Sequence, residues 1–146
     1  MSVHSYTKCW LHLIWGTLNR EKSLHEELRK ELRTYLLSYA KNKAIYIKEL
    51  FVNPDHVHLL MDLPTSMTIE DAAHLLKGSS SNWINKSSLI KTKFAWGRGY
   101  GAFSVSQSSV EKVCDYIKNQ EEHHRGRSFR EEYEEFIKLY GMQVNR

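Results

Sequence analysis

The chain has 146 residues, of which 41% are hydrophobic and 26% charged, with a formal net charge of +4. That length suits one globular domain, 1–146, with a proper core, and is too short to suggest two. No signal-peptide pattern opens the chain and no apolar run approaches the ~18 residues of a membrane span, so a cytoplasmic protein is expected. Cys9 and Cys114 form neither a disulfide framework nor a closely spaced metal pair, which fits ordinary thiols in a reduced compartment.

Tyr6 to Thr17 is rich in aromatic and apolar residues and reads as a central strand covered on both faces. Ser23 with Glu26 has the form of a capping box, and Leu24, Leu28, Leu32, Leu36 and Tyr39 recur at helical spacing, so a helix is expected from about Leu24 to Lys41. Ala44–Val52 and His56–Asp62 read as two strands joined by the tight turn Asn53-Pro54-Asp55. Thr68 with Asp71 opens a second helix, marked by Ile69, Ala73, Leu76 and Trp83 and ending near Ser87 or Ser88. A loop at Lys91–Gly101 leads into a fourth strand, Gly101–Ser106. Ser108 with Glu111 opens a third helix, and Ser128 with Glu131 a fourth that carries Phe129, Phe136, Ile137 and Tyr140 before Gly141. This order predicts an α+β fold, a ferredoxin-like or RRM-like βαββαβ antiparallel sheet with two helices on one face and additional C-terminal helices. Many unrelated functions use that architecture, so chemistry must be sought in particular residues.

Charge is distributed unevenly. No acidic residue lies between Asp71 and Glu111, while Lys77, Lys86, Lys91, Lys93 and Arg98 all do. Interleaved with Trp83, Phe94, Trp96 and Tyr100, this stretch suits a polyanion that also offers flat bases, meaning unpaired nucleic acid. A solvated lysine-bearing loop explains the same charges. Arg98 stands among Gly97, Gly99 and Gly101, whose backbone can approach a phosphate or simply turn.

His56 and His58 alternate on one predicted strand, so both imidazoles point to one face while Val57, Leu59 and Met61 point to the other. Eight histidines yield roughly 0.4 such pairs by chance, so the motif needs a partner. Tyr116 and Gln120, four residues apart on the third helix, place a phenol and an amide on one helical face. The buried stripe of a packed helix would look the same, because Val113 and Ile117 share that face. Two imidazoles and an amide oxygen would leave coordination positions open for substrate oxygens. A divalent ion so held could polarise a phosphodiester while the phenolate attacks phosphorus.

With these residues in view, the sequence resembles the single-tyrosine HUH transposases of small bacterial insertion sequences, the IS200 type. The likeness rests on Trp15-Gly16-Thr17, Pro54-Asp55-His56-Val57-His58-Leu59-Leu60, Leu76-Lys77-Gly78-Ser79-Ser80 and Tyr116-Ile117-Lys118-Asn119-Gln120. The resemblance implies an HUH endonuclease fold in which His56, His58 and Gln120 bind Mg²⁺ or Mn²⁺. It implies that Tyr116 cleaves single-stranded DNA to leave a 5′-phosphotyrosine and a free 3′-OH, which rejoining later consumes. It further implies recognition of DNA hairpins at element ends by a homodimer, whose active sites can combine the tyrosine of one subunit with the histidines of the other. Imidazole ligands favour Mn²⁺ on softness grounds.

Lys77, Lys91, Lys93, Arg98 and Tyr100 are the candidate DNA contacts. His123 and His124 follow Gln120 by about one turn and suit a solvated helix end, and His4, His12, His25 and His74 have no partner legible in sequence and read as structural or surface residues. Three alternatives stay open. They are a domesticated relative acting on chromosomal palindromic repeats, a non-catalytic nucleic-acid-binding module in which Tyr116 stands away from the histidines, and a metal hydrolase that activates water.

Overall fold

The apolar run Trp10–Gly16 forms the first strand, β1, and all seven of its residues are buried. In the computed structural model of the chain, the residues described are 5–120, 130–132, 134 and 137. The strand begins later than the alternation suggested, and Tyr6 is 92% exposed. Helix α1 spans Glu26–Asn42, β2 Tyr46–Val52, β3 His56–Asp62, α2 Ile69–Lys86, β4 Gly101–Val105 and α3 Val110–Lys118. The four strands are antiparallel in the order β2-β3-β1-β4, the ferredoxin-like order expected for βαββαβ.

The caps differ in how closely they follow the sequence. Thr68 and Asp71 form a full reciprocal capping box on α2. The Ser23–Glu26 box does not form, because α1 starts later and His25 is its cap: the His25 ring accepts from the Leu28 N–H and reaches the Leu89 carbonyl at 2.8 Å. The Ser108–Glu111 cap is likewise absent, because a 3₁₀ turn at Gln107–Ser109 precedes α3. Of the expected fourth helix, 130–132, 134 and 137 are helical, whereas Ser128, Phe129, Phe136, Tyr140 and Gly141 lie outside the described residues.

The period of two sorts the sheet into two faces. Leu11, Leu13 and Trp15, paired with Met61, Leu59 and Val57, pack against Leu28, Leu32 and Leu36 of α1 and Leu76 of α2. On the opposite face Trp10, Leu60 and Val105 pack against Val110, Val113, Cys114 and Ile117 of α3. This second face also carries His56 and His58, so α3 closes over the histidines while α1 and α2 hold the sheet from behind.

The basic stretch is less open than its composition suggested. Phe94 is 4% exposed, and Trp96 sets its edge against Trp15 and donates its indole N–H to Ser80 Oγ at 2.9 Å. Trp83 stacks on Tyr35 at 4.9 Å. The expectation that these three aromatics offer faces to bases is therefore corrected: Phe94 lies in the core cluster, and Trp83 and Trp96 pack against it. Beyond Ile14↔Gly101, pairing of β1 resumes at Thr17↔Trp96 with Gly97 N–H donating to the Gly16 carbonyl at 2.8 Å. The resumed ladder is two residues out of step, so Arg98, Gly99 and Tyr100 are extruded as a bulge. A side chain at Gly97 would press on the Thr17 carbonyl, and Gly99 takes the left-handed φ of +78°. The Lys77 ammonium donates to the carbonyls of Gly97 and Gly99 at 2.9 and 2.7 Å, and partial burial lowers its pKa.

Candidate active site

β3 brings His56 and His58 to the α3 face, both fully buried. The hairpin before them is tightly closed: Asn53 N–H donates to the His56 carbonyl at 2.7 Å, and Thr17 N–H to that of Asp55 at 2.8 Å. Asp55 Oδ1 lies 2.7 Å from His56 Nδ1. A carboxylate only accepts, so Nδ1 carries the hydrogen and Nε2 keeps its lone pair. That lone pair faces Asn53 Nδ2 at 3.3 Å and, farther off, Glu132 Oε2 at 3.7 Å.

His58 is oriented by another imidazole. Its Nδ1 lies 2.9 Å from His12 Nε2, and its own Nε2 lies 3.2 Å from Glu132 Oε1. The two histidines share one hydrogen between the paired nitrogens. Facing a cation, His58 must keep Nε2 bare, so Nδ1 donates and His12 accepts. Facing the Glu132 carboxylate alone, the opposite tautomer makes both contacts. His12, which sequence left without a partner, is thus an orienting group on the adjacent strand.

Burial, and next the neighbouring His58, push the His12 pKa well below the ordinary 6.5, against an upward pull from Glu132. A depressed folded pKa means that below pH 6.5 the unfolded chain takes up a proton which the folded chain refuses. Stability is accordingly retained above that pH and falls as pH drops below it, by up to about 1.4 kcal/mol per pH unit for this one group. Chemical denaturation of wild type and His12→Gln between pH 7.5 and 5.5 should show the smaller slope in the variant. Equal slopes would mean that His12 is not held neutral.

Tyr116 stands beside this pair in the same chain. Its ring centroid is 5.7 Å from that of His58 and 6.1 Å from that of His12, and its hydroxyl donates to Glu132 Oε1 at 2.8 Å. Gln120 is buried in the same cluster, but its Oε1 accepts from Asn53 Nδ2 at 3.3 Å and its Nε2 donates to the Tyr116 carbonyl at 3.3 Å. Asn53 therefore stands between Gln120 and His56. Among the described residues, His56, His58 and Glu132 each present a ligand atom, all within 4.8 Å of one another. Two imidazoles fixed by outer partners and one carboxylate suit a divalent ion. Replacing Asp55 by Asn should cost about 10- to 100-fold in Mn²⁺ affinity while the fold persists. Calorimetry showing unchanged affinity would remove Asp55 from that role.

Sequence reasoning missed Asn53, Asp55, His12, Glu132 and Arg20. Asn53 and Asp55 were legible as polar neighbours of the histidines. His12 required the strand register, and Glu132 had no local signal. Arg20 follows Asn19, both at φ of 57°, and a side chain at Gly16 would collide with its guanidinium. Because Gly16 pairs with His56, that guanidinium lies on the histidine face. Of the candidate DNA contacts, Lys91, Lys93, Arg98 and Tyr100 are exposed, while Lys77 is engaged by the bulge. A separate open groove of about 460 Å³ is lined by Glu26, Arg29, Lys30 and Arg33 of α1 and by Phe51, Val52, Asn53 and Pro54. His74 lies 3.9 Å from Glu70 on the exposed side of α2, and His4, His123 and His124 lie outside the described residues.

Residues 5–120 match the family described as "Transposase IS200 like". The chain belongs to the IS200-like transposases. It is similar to the transposase for insertion sequence element IS200 of Salmonella typhimurium, 28% identical over 123 residues that cover 81% of this chain and 80% of that one. It is also similar to the ISDra2 transposase TnpA of Deinococcus radiodurans, 29% identical over 114 residues, covering 75% and 81%. Among solved structures, a Deinococcus radiodurans transposase crystal structure superposes with a TM-score of 0.66 at 28% identity, covering 82% of this chain and 96% of that one. A REP-associated tyrosine transposase bound to a REP hairpin superposes at 0.63 and 16% identity, covering 85% and 74%, which shows a shared fold. The transposase is thus an enzyme of the tyrosine-nucleophile class of endonucleases and strand transferases. Among its described residues, no helix is long and apolar enough to cross a membrane.

Proposed function

We propose that this transposase cuts and rejoins single-stranded DNA through a covalent link to Tyr116, with a divalent ion, Mg²⁺ or Mn²⁺, held by His56 and His58. The observation that carries this reading is the short path from the nucleophile to the imidazoles: the Tyr116 hydroxyl is 2.8 Å from a carboxylate oxygen that is itself 3.2 Å from His58 Nε2. Asp55 and His12 hold the two rings so that both Nε2 atoms converge. An ion bound there supplies Lewis-acid polarisation of the scissile phosphate. Tyr116 Oη forms a bond to phosphorus as the bond to the 3′ oxygen breaks; the phenol gives up its proton and the departing 3′ oxygen gains one. Attack by a 3′-OH reverses the step, restores the phenol and rejoins strands without an external energy source.

Arg98 and Tyr100 on the bulge, with Lys91 and Lys93, are proposed to meet the DNA. A hairpin substrate is supported by the REP hairpin bound to the fold relative. The protein is proposed to act as a homodimer; within one chain the Tyr116 ring lies 5.7 Å from that of His58. A non-catalytic module would require Tyr116 to stand apart from them, and the 5.7 Å ring separation opposes that. Incubation with single-stranded DNA from the ends of the element and Mn²⁺ should give an adduct that survives denaturation. Absence of adduct on every hairpin-bearing strand tested, with the protein folded and metal bound, would refute the reading.

A further inference from the structure

Resting on the reading of Tyr116 and His56 above, we infer that Arg20 is a phosphate-binding residue of the active site. Seated over Gly16, beside His56, its guanidinium holds the non-bridging oxygens of the scissile phosphodiester. In the β1–β3 register Gly16 stands opposite His56 and Ile14 opposite His58, so these positions share one face of the sheet. At Gly16 that face carries no side chain. A methyl group built there would collide with the end of the Arg20 side chain and sit 3.3 Å from the Asp55 carbonyl oxygen. The guanidinium therefore occupies the place next to His56 that a side chain at Gly16 would fill.

The turn that delivers Arg20 is strained and tightly bonded. Asn19 and Arg20 both take a φ of 57°, a left-handed conformation that non-glycine residues adopt uncommonly and keep where the surrounding structure over-determines it. Arg20 N–H donates to the Thr17 carbonyl at 3.1 Å, Thr17 Oγ1 to the Glu21 carbonyl at 2.7 Å, and Leu18 N–H to the Ala95 carbonyl at 3.1 Å. Thr17 N–H in turn donates to the Asp55 carbonyl at 2.8 Å, which ties the turn to the hairpin carrying His56. Strain of this kind collects at functional sites.

Charge points the same way. Asp55 and Glu132 bring two carboxyl groups to a site that must accept a phosphate. Arg20 brings a cation to the same face and, unlike the buried histidines, is exposed to an incoming strand. The guanidinium fork matches two phosphate oxygens at once. As Tyr116 Oη bonds to phosphorus and the bond to the 3′ oxygen breaks, charge builds on the non-bridging oxygens. Arg20 meets it with hydrogen bonds and transfers no proton.

The test is the rate at which the full-length protein with Mn²⁺ cleaves a single-stranded oligonucleotide carrying the hairpin end of the element. Arg20→Ala should lower that rate at least about 100-fold, the scale of a lost oxyanion donor, with circular dichroism and calorimetric Mn²⁺ affinity as in the wild type. Arg20→Lys should keep part of the rate. Millimolar guanidinium chloride should restore part of it to Arg20→Ala, whereas urea, of similar shape and no charge, should not. A wild-type rate in Arg20→Ala overturns the proposal, as does a loss that neither the lysine variant nor guanidinium repairs, which marks a merely structural residue. Tyr116→Phe and His56→Ala are measured alongside. Wild-type cleavage in those two variants refutes the underlying reading, whereas a normal rate in Arg20→Ala with both of them inactive removes the role of Arg20 alone.

Discussion

Replacing Tyr116 by phenylalanine is expected to abolish the covalent DNA adduct and to lower strand cleavage on the order of 10⁴-fold or more, the scale on which covalent enzymes lose activity with their nucleophile. The ring is retained, so its edge contacts with His58 and His12, at 5.7 and 6.1 Å, remain. What disappears is one oxygen and the bond it donates to buried Glu132. Removing that donor costs about 1–3 kcal/mol, visible as a modest fall in the thermal midpoint. Hairpin binding, measured by mobility shift at fixed salt, should be unchanged because no exposed cation is lost. Cleavage that continues at the wild-type rate in Tyr116→Phe would make water the attacking group and the protein a metal hydrolase.

Truncating His56 to alanine should remove more than one property at once. The proposed ion would lose an imidazole that Asp55 orients from 2.7 Å, and the Asn53 amide loses its acceptor. Mn²⁺ affinity is expected to fall more than about 100-fold, beyond what loss of an outer partner costs, and cleavage to fall below detection while hairpin binding persists. His74→Ala is the matched control, an exposed histidine on α2 whose change should leave metal affinity and cleavage intact. Equal metal affinity and equal cleavage in His56→Ala and wild type would remove His56 from the chemistry.

How much of this was legible beforehand follows the range of each interaction. The capping box at Thr68 and Asp71 spans three residues and forms as read, and the alternation around Val57 and Leu59 correctly assigned one face of β3 to the core. Ser23 failed as a cap because His25, two residues on, offers a ring nitrogen to Leu28 and ties α1 to residue 89. Trp96 and Phe94 were misread because side-chain composition carries no direction, and their inward turn depends on Ser80 and Trp15, far away in sequence. His12 meets His58 across 46 positions, a contact that only the β1–β3 register creates. Gln120 is buried near the histidines, but that Asn53 intervenes before His56 depends on how the hairpin closes.

The extruded residues Arg98, Gly99 and Tyr100 were read as part of a loop, yet they are pinned on both sides by ladder bonds and from beneath by Lys77. A loose loop that grips a strand must first surrender its conformational freedom, at about 1–2 kcal/mol per backbone residue. Here most of that cost is met when the protein folds. Arg98 and Tyr100 are held out like a rigid finger, so whatever they touch is met by a surface already in shape, and affinity gains from what ordering does not subtract.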